Sequence, residues 1–453
     1  RLRARTTAGH AVQDVALRDP AVGPAQPGAV RLRSLRRNPA PVDGLRLAVI
    51  VDGSDQGSTT GASLPGHEFD PALGSAEGLV ALLQGLDATF VELQRLAQTE
   101  LTRFDTEATL EEALTPPSSW YQSRGFFDLE GATVFRRHPL MVARDDQLAT
   151  PGSWVSMEVG EESWLSTRDL KGKIHGLANS CRHHGSRLCE GEGSGEAIVC
   201  PYHGWSYGLD GSLAAASGAG AIKGLGGPDC RLPAFPVAEW GRLLLLHPSA
   251  GSPLNPGMKA METILKESGW QGAKWVARRR YPMDCDWKVF IENYLDGGYH
   301  VSRVHPGLAG GLELAEYTTT WEEAWVLQTC PESSPELGSP GEVRYLWMHP
   351  NLMVNFYWPW VDVNFVVPTG PGRCEVIFDW WVDASRAGDI RFVENGLAAS
   401  DRVQAEDASI CSQVQKGMRS ASYEQGRYSP TREGGMRHFH RLLMEDFRSQ
   451  AFA

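Results

Sequence analysis

The alternation of hydrophobic and polar positions changes character along the chain. Between about residues 135 and 250, short alternating runs are separated by turn signals. Ser153–Val159 and residues 162–167, 173–178, 197–200 and 242–247 read as strands, with hairpin turns at 169–172 and 209–211. This pattern predicts a small all-β domain. Beyond about residue 265 the strands lengthen and fill with aromatics, at 344–356, 361–368 and 374–382. They alternate with helical periodicity at 287–299, 388–420 and 435–447. That order predicts an α+β domain with helices laid on an antiparallel sheet. Upstream, residues 47–51 read as a strand. Residues 76–98 read as a helix, because Leu79, Leu82, Leu83, Leu86, Phe90, Leu93 and Leu96 recur at three- and four-residue steps.

These changes divide the 453 residues into segments 1–40, 41–116, 117–265 and 266–453. The first carries Arg1, Arg3, Arg5, Arg18, Arg31, Arg33, Arg36 and Arg37 against Asp14 and Asp19 alone, and reads as a transit peptide or a disordered tail. The second is an extension, helical in part, with no assigned chemistry. A formal charge of −12 argues against a nucleic-acid surface. No stretch approaches the roughly 18 apolar residues of a membrane span. Eight cysteines are present without a disulfide framework.

Two of those cysteines sit in a spacing that carries chemistry. Cys181-Arg182-His183-His184-Gly185 and Cys200-Pro201-Tyr202-His203-Gly204-Trp205 each deliver one thiol and one imidazole on a short loop. Structural zinc sites usually group like ligands, two Cys on one arm and two His on the other. One Cys and one His per arm suits a Rieske [2Fe–2S] cluster, in which two thiolates hold one iron and two imidazoles the other. Cys181, His183, Cys200 and His203 are therefore the candidate cluster ligands, and the chain is expected to move electrons.

A second constellation follows within 286–307. Trp287, Phe290, Ile291, Tyr294 and Leu295 repeat at helical spacing. His300 and His305 are five residues apart, about 140° around a straight helix. They converge only if the helix ends between them, and Gly297, Gly298 and Pro306 allow that. Two imidazoles and one carboxylate form the facial triad of non-haem Fe(II) oxygenases, leaving open positions for dioxygen. Asp401, Glu406 and Asp407 are candidates for the carboxylate. The local pattern leaves the three open.

Across 117–450 the chain resembles the large (alpha) subunit of Rieske non-haem iron oxygenases, and within them the choline monooxygenase branch. The resemblance is carried by 286–308, 350–355, 359–362, 415–417, 426–429 and 438–440. It implies a Rieske domain followed by a START/Bet v1-like catalytic domain, and assigns iron to His300, His305 and Asp407, with Glu406 next after Asp407. It implies a trimer in which a carboxylate just before the first His links neighbouring subunits. Asp296 is the candidate for that role, with Glu292 and Asn293 as further catalytic candidates. It also implies reduced ferredoxin or a ferredoxin-type reductase and O2 as partners, a quaternary-amine substrate, and a chloroplast stroma location, the alternative being the cytoplasm. The expected reaction is oxidation of choline to betaine aldehyde hydrate. Phe356 and Trp360 are candidates for the aromatic cage around the cation. The alternatives are oxidation or N-demethylation of a betaine or carnitine-type amine, or a Rieske electron carrier without oxygenase activity.

Overall fold

The computed structural model describes residues 99–451, apart from 161, 221, 250 and 334–340, together with four short strands further upstream. Those four form a unit of their own within residues 1–85. Leu2–Thr6 pairs with Leu47–Val51 and Val12–Ala16 with Arg31–Leu35, both antiparallel. The strand expected at 47–51 is present. The helix expected at 76–98 and the remainder of the 1–40 tail lie outside the described residues.

In the main unit, the cluster motif sits in an all-β domain. Its largest sheet has five strands, with Ser153–Val159 and Glu162–Arg168 at its centre. A separate three-stranded sheet, Ala197–Val199, Ser206–Gly208 and Leu213–Ala215, carries the second ligand loop. A small core of Leu165, Leu177, Leu188, Ile198, Trp205 and Tyr207 closes around Cys181 and Cys200. The domain therefore packs its own interior directly behind the ligand loops.

The catalytic half is built on a seven-stranded antiparallel sheet. In spatial order its strands are Ala273–Met283, Arg373–Asp383, Trp360–Gly370, Leu352–Tyr357, Glu342–Met348, Trp325–Pro331 and Thr318–Glu322. Helices Trp287–Tyr294, Ile390–Met418 and Gly434–Ala451 pack with it. The single strand expected at 344–356 is two strands of a hairpin. Pro350, which has no amide to donate to a ladder, falls in the turn between them.

Residues 117–134, grouped by the sequence with the Rieske domain, pack instead with the end of the chain. Trp120 meets Phe447 edge-on at 5.0 Å and stacks on Phe126, and Leu114 bridges Arg427. Such contacts link residues some 300 positions apart, and no local pattern announces them.

Candidate active site

The two ligand loops are near copies of one another. In each, a glycine amide returns to the carbonyl of the loop's cysteine, Gly185 to Cys181 at 2.8 Å and Gly204 to Cys200 at 3.1 Å. Both glycines have φ near +70°, a conformation that side chains with a Cβ resist. The tight turns bring the His183 and His203 rings to 4.7 Å, and His183 stacks on Trp205. Tyr207 Oη accepts the Arg182 amide at 3.0 Å, which leaves its own proton free for Cys181 Sγ at 3.2 Å. Burial works to raise the Cys200 thiol pKa, but the Tyr202 and His203 amides and the neighbouring Cys181 and Ser186 side chains outweigh it, so it lies below the ordinary value. His183 Nδ1 is buried without a hydrogen-bond partner among the described residues. An orphaned ring nitrogen beside two buried thiols, one favouring the thiolate, is the donor set a Rieske cluster satisfies.

The second site forms where the first catalytic helix stops. Asp286 caps that helix through the Lys288 amide at 3.1 Å. The helix ends at Tyr294, earlier than the expected 299, because Gly297 and Gly298 both take positive φ. A Cβ on Gly297 would stand 2.3 Å from the Arg432 carbonyl oxygen. A one-turn helix, Val301–Val304, then places His300 and His305 at its two ends. Their rings lie 5.1 Å apart and nearly perpendicular.

The carboxylate arrives from the 29-residue helix Ile390–Met418. Gln415 on that helix accepts the Asp286 amide at 2.7 Å and so fixes it against the first catalytic helix. Asp407 Oδ1 lies 3.0 Å from His305 Nε2 and 3.9 Å from His300 Nε2. Ligand atoms of the three residues all fall within 4.8 Å of one another, a set able to hold a metal ion. Asp401 turns elsewhere, accepting Tyr281 Oη at 2.6 Å and pairing with Arg279.

Carboxylates also hold the far nitrogens of both rings. His300 Nδ1 meets Asp296 Oδ2 at 2.7 Å, and His305 Nδ1 meets Glu406 Oε2 at 2.7 Å. Each carboxylate favours a proton on Nδ1, leaving the Nε2 lone pair for a metal. Burial would lower the His305 pKa, but Asp407 and Glu406 on its two sides outweigh it and the net shift is upward. Asn293 donates to Asp407 Oδ1 at 2.7 Å.

Other candidates fall in different places. Glu292 accepts from Tyr121 Oη at 2.5 Å and bonds His440 Nε2 at 2.9 Å, inside a buried network that Tyr428 extends. These bonds go to neither histidine of the cluster. Phe356 follows Asn355, which faces the first catalytic helix through Tyr294. Strand alternation turns Phe356 to the opposite face, against Trp270. Trp360 stacks on Phe392, fifteen residues before Asp407 on the same helix. At 1.5 Å per residue that is about 22 Å along the helix axis. Phe356 and Trp360 border a cavity of about 230 Å³ shared with Trp358, Glu342 and Arg344. Glu406 as the second carboxylate on His305, and Tyr207 on Cys181, are partners that sequence spacing alone did not reveal.

Fold and site together define a two-centre iron oxygenase. Residues 138–228 match the Rieske [2Fe-2S] domain and residues 271–447 the ring hydroxylating alpha subunit catalytic domain. The chain is 39% identical over 363 residues to the chloroplastic choline monooxygenase of Arabidopsis thaliana, covering 76% of this chain and 85% of that one. It is 28% identical to the carnitine monooxygenase oxygenase subunit of Escherichia coli strain K12, covering 75% of this chain and 96% of that one. Its fold matches that of a quaternary ammonium Rieske monooxygenase with a TM-score of 0.68 at 24% identity, over 74% of this chain and 96% of that one. The chain belongs to the Rieske non-haem iron oxygenase alpha subunits, and a Rieske cluster and a mononuclear iron are its cofactors.

Proposed function

We propose that this oxygenase hydroxylates choline at the carbon bearing the alcohol. Choline, O2, two electrons and two protons give betaine aldehyde hydrate and water. The single observation that carries the reading is the 39% identity to a choline monooxygenase over 76% of this chain. In this reading Cys181, His183, Cys200 and His203 hold the cluster, and His300, His305 and Asp407 hold the iron. The bound metals supply one-electron transfer and activation of dioxygen. The protein's own residues prepare those centres. Asp296 and Glu406 set the tautomers of the two histidines, Asn293 fixes the rotamer of Asp407, and Tyr207 donates to a cluster thiolate.

The cluster loop is open to other proteins: Tyr202 is 65% exposed and His203 beside it is exposed. That supports electron entry from reduced ferredoxin, and passage of electrons between subunits of a homotrimer with Asp296 at the junction. The plant choline monooxygenases are chloroplastic by name, which supports a chloroplast stroma location. Among the described residues no helix is long and apolar enough to cross a membrane.

The test is product analysis with a substrate panel. Metal-reconstituted protein receives reduced ferredoxin and O2 with choline, carnitine or glycine betaine in turn. Betaine aldehyde from choline, with kcat/KM above that for the other two, is expected. Trimethylamine from carnitine, or demethylation of glycine betaine, at a higher kcat/KM than choline oxidation would overturn the choline reading.

A further inference from the structure

Asp362 is a buried carboxylate without a cation. It is 3% exposed, and among the described residues no Lys, Arg or His pairs with it. Its oxygens accept from the Asn355 and Asn364 amides, each at 2.8 Å, and from Tyr357 Oη. Burial pushes its pKa up to about 6 against the pull of those three bonds. Burying a charge with no opposite charge nearby is expensive. The other deeply buried carboxylates of this half have cationic partners: Asp379 has Arg144 and Arg278, and Asp286 has Lys288.

Four tyrosines gather on this side of the sheet. Tyr357 bonds Asp362 directly, and Tyr294 reaches it through Asn355, donating to Asn355 Oδ1 at 2.6 Å. Tyr345 stands opposite Asn355 in the strand register. The Tyr345 ring meets Tyr294 edge-on at 6.4 Å and lies parallel to Tyr317, also at 6.4 Å. All four keep accessible surface. Desolvation nevertheless dominates the upward shift of every one of these phenols. Surface kept by side chains this deep in the fold is what residues around an internal space would show.

Two of the four tyrosines adjoin residues of the iron site. Tyr317 lies against Gly298, two residues before His300, with its ring 2.9 Å from where a Cβ would stand. Tyr294 directly follows Asn293, whose amide holds Asp407. Aromatic faces and an unpaired carboxylate at one end, with the iron ligands at the other, suit a short molecule that is cationic at one end and reactive at the other.

Building on the choline reading above, we propose that the substrate's trimethylammonium head sits among Tyr294, Tyr317, Tyr345 and Tyr357, with Asp362 as its counter-charge. The arrangement selects for charge as well as shape. A neutral alcohol of choline's outline fills the same space and gains nothing from Asp362.

The test measures binding to the metal-loaded enzyme by calorimetry at pH 7.5, with three probes: choline, tetramethylammonium, and 3,3-dimethylbutan-1-ol, the uncharged isostere of choline. Asp362→Asn is expected to weaken both cations about tenfold or more and the neutral alcohol less than about twofold. Tyr345→Leu is expected to weaken the cations, and Tyr345→Phe, which keeps the ring, to restore them. The Rieske absorption spectrum and the Tm report folding of each variant. Equal choline affinity in wild type and Asp362→Asn overturns the proposal, as does equal weakening of cation and neutral alcohol. If wild type still oxidises choline in either case, the choline reading stands without this binding site. A wild-type enzyme that binds no quaternary ammonium ion overturns both.

Discussion

Replacing Asp296 by Asn tests how the protein prepares His300. The Asp296 side chain serves three donors: the His300 amide at 2.9 Å and His300 Nδ1 at 2.7 Å on one oxygen, and the Tyr299 amide at 3.0 Å on the other. An asparagine has one carbonyl oxygen, so it cannot serve both sets. If that oxygen stays on Tyr299, the new NH2 group faces His300 Nδ1 and favours a proton on Nε2, which then cannot bind metal. If it turns to His300, the NH2 group opposes the Tyr299 amide and the turn is disturbed. Loss of such an orienting carboxylate typically costs 10–100-fold in metal affinity, about 1.4–2.7 kcal/mol. The assay is anaerobic competition between the protein and a chelator for Fe(II) or Co(II), with the Rieske spectrum as control for the untouched centre. An affinity within about twofold of wild type would refute the claim that Asp296 fixes this ligand.

Other variants probe separate parts of the structure. Tyr207→Phe removes the hydroxyl beside Cys181 Sγ, so the cluster's reduction potential should fall, by about 40 mV for each kcal/mol of hydrogen bonding lost; protein-film voltammetry reads it. Lys288→Met strips the cation from between Asp286 and Glu130, all three buried. Urea unfolding at pH 7 should show a loss of about 3–5 kcal/mol, smaller at pH 5 where the carboxyls take up protons. Asp362 has a folded-state pKa of about 6, above the ordinary aspartate value, so the folded state binds its proton more tightly than the unfolded state does. Its cost to stability is absent below about pH 4, grows as pH rises towards 6, and reaches about 3 kcal/mol above that. Asp362→Asn should therefore unfold at higher urea than wild type at pH 7.5, with the gain disappearing at pH 4.

Much of this was legible in the sequence because the relevant signals are local. Cys181, His183, Cys200 and His203 lie within 23 residues of one another, and their two glycines mark the turns. The glycine pair at 297–298 marked where the helix could break, but the expected end at 299 lay five residues beyond the observed one. Asp407 could be only one of three carboxylates until the helix was set in place, since Gln415 and not the local pattern fixes its rotation. The cage residues were not legible for a different reason. Alternation says that neighbouring residues face opposite ways, but not which face meets the metal. Tyr294, already counted as an apolar helix residue, also donates its hydroxyl to Asn355. The buried carboxylate at Asp362 lay in a segment that carried the family resemblance. Its missing cation became visible only with the surrounding strands in place.

The most direct test is a single turnover. Wild type and His300→Ala, both with intact clusters reduced beforehand, are mixed with choline and O2 and quenched. Betaine aldehyde from wild type alone, with the Rieske spectrum preserved in both, is the expected result. Product from His300→Ala, or none from wild type that holds both iron centres, would contradict the assignment of choline oxidation to this site.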